Sequence, residues 1–154
     1  MQIKELKLYL QKINPEIKLC LGSDFHWSPR FQKITYHKTN QPLQTWSILH
    51  EAGHAILNHQ SYSSDFDLLL KELEAWQEAK NIAHHFQLEI DQNHIENCLD
   101  TYREWLNKRS QCPQCSLRSV QVTNSSLYRC YNCQTTWSVT KSCNHRSYRI
   151  KKFN

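Results

Sequence analysis

The chain of 154 residues carries five Trp, seven Tyr and five Phe against two Gly, with 39% hydrophobic and 21% charged residues and a formal net charge of +5. Apolar and aromatic residues recur along the whole length, which excludes collagen-like, low-complexity and disordered chains, and the size suits one packed domain with a small appendage. No aliphatic run is longer than Leu68-Leu69-Leu70, so neither a membrane span nor a signal-peptide core is expected, and a cytoplasmic location follows as an expectation.

The elements read in chain order give an α+β chain. A helix over Ile3 to Ile13 ends at the Asn14-Pro15 pair. Ile17 to Leu21 and Lys33 to His37 read as short strands, the second through the alternation of Ile34 and Tyr36. Pro42 opens a helix of about Gln44 to His59. After a polar loop, Ser64 or Asp65 caps a long helix from Phe66 to Gln87. Asn93 caps a last helix running to Lys108, and short strands follow at Ser119 to Thr123, Leu127 to Arg129 and Thr135 to Val139, with Asn124-Ser125-Ser126 as a turn.

Charge divides the chain in two. Residues 1–110 carry 12 Lys and Arg against 14 Asp and Glu, a net of −2, whereas residues 111–154 carry seven basic residues and no acidic one, a net of +7. Two modules with a boundary at 110/111 are therefore expected, the second suited to a polyanionic or acidic partner. That module also contains Cys112-Pro-Gln-Cys115 and Cys130-Tyr-Asn-Cys133. Two such pairs can bring four thiolates to the corners of a tetrahedron, so a structural Zn²⁺ site in a zinc ribbon over about 111–140 is expected. Cys143 and His145 are spare ligands or free. The tail alternates positive and aromatic residues, and Arg146, Arg149, Lys151 and Lys152 are candidates for contact with nucleic acid or another partner; the competing reading is a solvated terminus.

The second helix reads His50-Glu51-Ala52-Gly53-His54. Histidines at i and i+4 share one helical face and can reach one metal ion, while Glu51 is rotated by about 100° toward an open coordination position. This is the arrangement of a zinc hydrolase, with Glu51 as general base. His59 lies nine positions after His50 where a metzincin needs ten, so that pattern fails. In the next helix Glu72 shares a face with Leu68, Ala75, Ala79, Ile82 and Phe86, and a carboxylate on an apolar face needs a partner. Glu72 is the expected third ligand, with Glu74 the runner-up.

These residues resemble a family. The run from Trp46 through His50-Glu-Ala-Gly-His54 to Leu57, followed by Glu72-Leu-Glu74-Ala75, Ala79 and Ala83, is similar to the ImmA/IrrE-like zinc metallopeptidases over about residues 30–90. The resemblance implies a zincin-like, mainly helical domain with a small sheet at 1–110, zinc held by His50, His54 and Glu72, and Glu51 as catalytic base. Trp76 stands where the family usually has Asn or Asp, and a ribbon replaces the family's usual helix-turn-helix attachment. An HExxH unit followed by a ribbon is more similar to the SprT-like proteases, whose third histidine has no counterpart here.

The expected activity is cleavage of a protein or peptide substrate, with one catalytic and one structural zinc and no membrane partner. An extended substrate is expected to pair with the edge of Lys33 to His37. Tyr36, Tyr62, His84, His85 and His94 are open candidates for the oxyanion donor. The alternative is a non-catalytic binding module in which the HExxH helix is a metal-stabilised scaffold and the ribbon carries the function.

Overall fold

The computed structural model describes residues 1–38, 41–122, 125, 127–139 and 149–152. They form a mixed α+β chain with four α-helices and two small sheets. The chain divides into two compact units: residues 1–61 with 70–95, and residues 62–69 with 96–154. Among the described residues no helix is long and apolar enough to cross a membrane.

In the first unit α1 (Ile3–Ile13) buries Leu6 and Leu10, one turn apart, and a capping box between Gln2 and Glu5 starts it. Strands β1 (Lys18–Leu21), β2 (His26–Ser28) and β3 (Lys33–Tyr36) make a sheet in the order β1-β3-β2, with β1 parallel and β2 antiparallel to β3. The strand expected to offer a free edge is therefore the central one, covered on both sides. The reason is β2, which is too short to show an alternation; Trp27 pairs with Ile34, and both are buried.

Pro42 starts α2 (Pro42–Ile56) at a position that needs no backbone N–H. The helix ends three residues before the expected His59, because Asn58 takes a left-handed φ of 50°. The Asn58 N–H then bonds to the Ala55 carbonyl and the His59 N–H to the His54 carbonyl, at 3.1 and 2.9 Å, which is a Schellman ending with Asn in place of the usual Gly. The Ser64 hydroxyl caps α3 (Asp65–His85) by accepting the Asp67 N–H at 3.0 Å. Ala75, Trp76, Ala79, Ile82 and Ala83 form the buried stripe of α3. Gly53 is required where α2 meets it: a Cβ there would lie 2.3 Å from the Ala75 carbonyl oxygen, and backbone cannot step aside as a flexible side chain can. Asp91 rather than Asn93 caps α4 (Gln92–Ser110), accepting the Asn93 N–H at 3.0 Å.

The second unit takes the first residues of α3 and most of α4 together with β4 (Val120–Gln121), β5 (Leu127–Arg129), β6 (Thr136–Val139) and β7 (Arg149–Lys152), an antiparallel sheet in chain order. The first three strands fall where the sequence predicts them, although Asn124 and Ser126 of the predicted turn lie outside the described residues. β7 lies in the tail that reads as basic rather than as a strand. Tyr128 stacks on Trp137 at 5.5 Å beside Cys112, Cys130 and Val139 in the core. Under them Asp65 and Arg109 form a buried pair: Nε donates to Oδ2 at 2.6 Å, Nη2 to Oδ1 at 3.3 Å, and the Tyr128 hydroxyl to Oδ2 at 2.5 Å. The Arg109 guanidinium also lies 4.1 Å from the Trp105 ring, and its carbonyl accepts the Trp137 indole N–H.

Candidate metal centres

Helical periodicity on α2 and α3 gathers His50, His54 and Glu72. His50 Nε2 lies 3.1 Å from Glu72 Oε2, His54 Nε2 lies 3.2 Å from His50 Nε2, and His54 Nε2 lies 3.6 Å from Glu72 Oε2. These separations bracket the ~3.3 Å between ligand atoms of a regular tetrahedron with ~2.0 Å bonds to zinc. Two imidazoles and a carboxylate are also the donor set that suits it, so this cluster can hold a metal ion. Glu72 is 6% exposed. Burial opposes its ionisation, but hydrogen bonding to His50 and His54 outweighs burial and pulls its carboxyl down to about 2. It is thus a carboxylate, and a potential ligand, at any ordinary pH.

Glu51, turned from His50 by its place on the helix, is not among the three grouped donors, and its Oε2 accepts the backbone N–H of Trp27 at 2.6 Å. The edge strand β2 therefore fixes the rotamer of the candidate base. Trp27 in turn donates its indole N–H to the His59 carbonyl at 3.0 Å.

The two histidines are supported differently. Trp76 stacks on His50 with ring centroids 4.2 Å apart, and His50 Nδ1 is buried with no hydrogen-bond partner among the described residues. His50 is thus backed by an aromatic wall, which His94 extends at 5.6 Å from Trp76. His54 Nδ1 instead lies 2.8 Å from His59 Nδ1, and His59 Nε2 lies 3.2 Å from Glu74 Oε2. Glu74, the runner-up ligand, sits at His59 and not among the three donors. Burial first, and then the charge on His54, lower the pKa of His59. Trp27 and His59 were missed as neighbours of the site by sequence reasoning. For His59 a signal was present: Asn58 is the residue other than Gly that best tolerates the left-handed turn folding His59 back.

The four cysteines form the second cluster. Cys112 and Cys133 sulfurs are 3.6 Å apart, and those of Cys115 and Cys130 are 3.5 Å apart. A tetrahedron with Zn–S bonds of ~2.3 Å has edges of ~3.8 Å, so a metal ion such as zinc fits. The two Cys-x-x-Cys turns share one backbone design. In each, the residue after the second cysteine (Ser116, Gln134) has φ near 60° and returns its N–H to the first cysteine's carbonyl. The Cys133 N–H is the main influence that draws the Cys130 thiol down to about 6, and the Thr135 hydroxyl does the most to lower that of Cys133. Although the Leu117 N–H favours its thiolate, Cys115 is raised to about 11 by burial and the neighbouring thiols. A nest of four sulfurs in which some are driven toward the anion is suited to a cation.

Of the tail residues, Arg149 donates from Nη1 to the Gln111 carbonyl and Oε1, each at 3.1 Å, so its guanidinium is engaged within the unit. Lys151 and Lys152 occupy β7 opposite Trp137 and Thr136. Arg146, Cys143 and His145 lie outside the described residues. Comparison of the chain with family models, with curated proteins and with solved structures finds no match.

Proposed function

We propose that this chain is a zinc-dependent endopeptidase: a zincin-like unit of ImmA/IrrE type, accompanied by a four-cysteine zinc ribbon that recruits a protein substrate or a nucleic acid. The observation that carries the reading is a His-His-Glu donor set with the Glu51 carboxylate next to His50 in sequence, outside the set, and held at Oε2 by the Trp27 N–H of the edge strand. A metal-stabilised scaffold has no use for a base so held. Zinc bound to His50, His54 and Glu72 would supply Lewis acidity and bring the pKa of a water toward neutrality. Glu51 takes the proton of the attacking water and delivers it to the leaving amine. The buried Glu72 contributes negative charge, Trp76 keeps bulk water from His50, and β2, next to Glu51, is the outer strand best placed to pair with an extended peptide. The four cysteines hold a structural zinc that supplies folding free energy to the small sheet.

The test is digestion of a diverse library of unstructured peptides by the zinc-loaded full chain, read by mass spectrometry. Internal cleavages that vanish with a zinc chelator and return with added zinc are expected. No cleavage of any peptide would favour the non-catalytic binding module, for which the net charge of +7 over residues 111–154 is the supporting observation.

A further inference from the structure

The geometry points to His59 and Glu74 as positioning residues that orient the ligand His54, a role that rests on the zinc-site reading above. A histidine that binds a metal through Nε2 carries its proton on Nδ1 and must place it on an acceptor, and such outer partners fix ring orientation and tautomer. In this chain the atom facing His54 Nδ1 is His59 Nδ1, at 2.8 Å. Two ring nitrogens at that distance need one proton between them. His54 donates, so His59 Nδ1 accepts and its proton resides on Nε2, where the Glu74 carboxylate lies 3.2 Å away. One tautomer of each ring satisfies every contact, and the direction of the chain, from His54 to His59 to Glu74, is set by the metal-binding nitrogen.

Local sequence explains why a residue five positions after a ligand can do this. On a continuous helix, positions 54 and 59 point well apart. The left-handed Asn58 and the bond from the His59 N–H to the His54 carbonyl fold His59 back over the last turn. The same residue presents its carbonyl to the Trp27 indole, and the Trp27 N–H holds Glu51. His59 thus serves the ligand with its ring and the base with its backbone. A side-chain substitution separates the two, because it leaves the carbonyl in place.

The experiment uses the full chain. Zinc affinity is measured by chelator competition for wild type, His59→Leu and His59→Asn, with the four-cysteine site as internal reference and the melting temperature of each metal-free protein recorded. Loss of an outer partner of a ligand histidine weakens metal binding by about 10–100-fold, and that is the result expected for His59→Leu. His59→Asn offers an amide oxygen where Nδ1 stood and should recover most of the affinity, which a merely structural role would not predict. Long-range ¹H–¹⁵N spectra of the zinc-loaded wild type should show His54 protonated on Nδ1 and His59 on Nε2. Equal affinity in wild type and His59→Leu, or a His59 proton on Nδ1, would overturn the assignment while leaving the metal site standing. A wild-type chain that takes up zinc only at its four cysteines would overturn the site reading itself, and the positioning role with it.

Discussion

Glu51→Gln is expected to abolish peptide cleavage while leaving zinc content and thermal stability unchanged. The amide has the shape of the carboxylate and still offers an oxygen to the Trp27 N–H, so the contact between β2 and α2 persists. Its nitrogen can take no proton from water at neutral pH. Positioned acid–base catalysis is worth about 10²–10⁴-fold, and here the same group serves both proton transfers, so a loss at the upper end of that range is expected. The three donors that face one another, His50, His54 and Glu72, are untouched. Rates measured on one peptide from the library, with elemental analysis of both proteins, check the prediction. A variant that cleaves at the wild-type rate would remove Glu51 from the mechanism.

Asp65→Ala should strongly destabilise the second unit. Asp65 accepts two bonds from Arg109 and one from Tyr128 in a setting where both charged residues are about 3% exposed. Removing one partner of a buried pair strands the other charge and costs about 3–5 kcal/mol, much more than a surface ion pair such as Lys108 with Glu104, worth about 0–1 kcal/mol. The Trp105 ring beneath Arg109 returns part of that cost through its attraction for the guanidinium. Urea unfolding followed by tryptophan fluorescence should show the large shift for Asp65→Ala and a much smaller one for the double variant Asp65→Leu with Arg109→Met, which leaves no charge behind. Equal loss in both would mean that the shape of the site, and not the stranded charge, sets the stability.

What could be read in the sequence was local and periodic. The bounds of α1 coincide with the predicted Ile3 to Ile13, and Ser64 is one of the two predicted caps, because both signals lie within a few residues of one another. Glu72 stands among the donors because its spacing from Ala75, Ala79 and Ile82 already put it on the buried stripe of α3. The rest depends on contacts distant in sequence. A three-residue strand has no period to detect, so β2 was absent from the prediction, and with it the covering of β3 and the grip of Trp27 on Glu51. The Asp65–Arg109 pair joins residues 44 apart, and nothing in either neighbourhood marks one as the partner of the other. His59 was judged by its distance from His50 along a helix, whereas the helix had already ended at Ile56.

Zinc per chain, determined by elemental analysis on the purified full chain and on His50→Ala, tests the central claim most directly. Two zincs in the wild type falling to one in the variant is the predicted result, since it separates a site on α2 and α3 from the one at the four cysteines. One zinc in both proteins would contradict the claim, leaving His50, His54 and Glu72 as a hydrogen-bonded cluster without a metal and Glu51 as a base with nothing to activate.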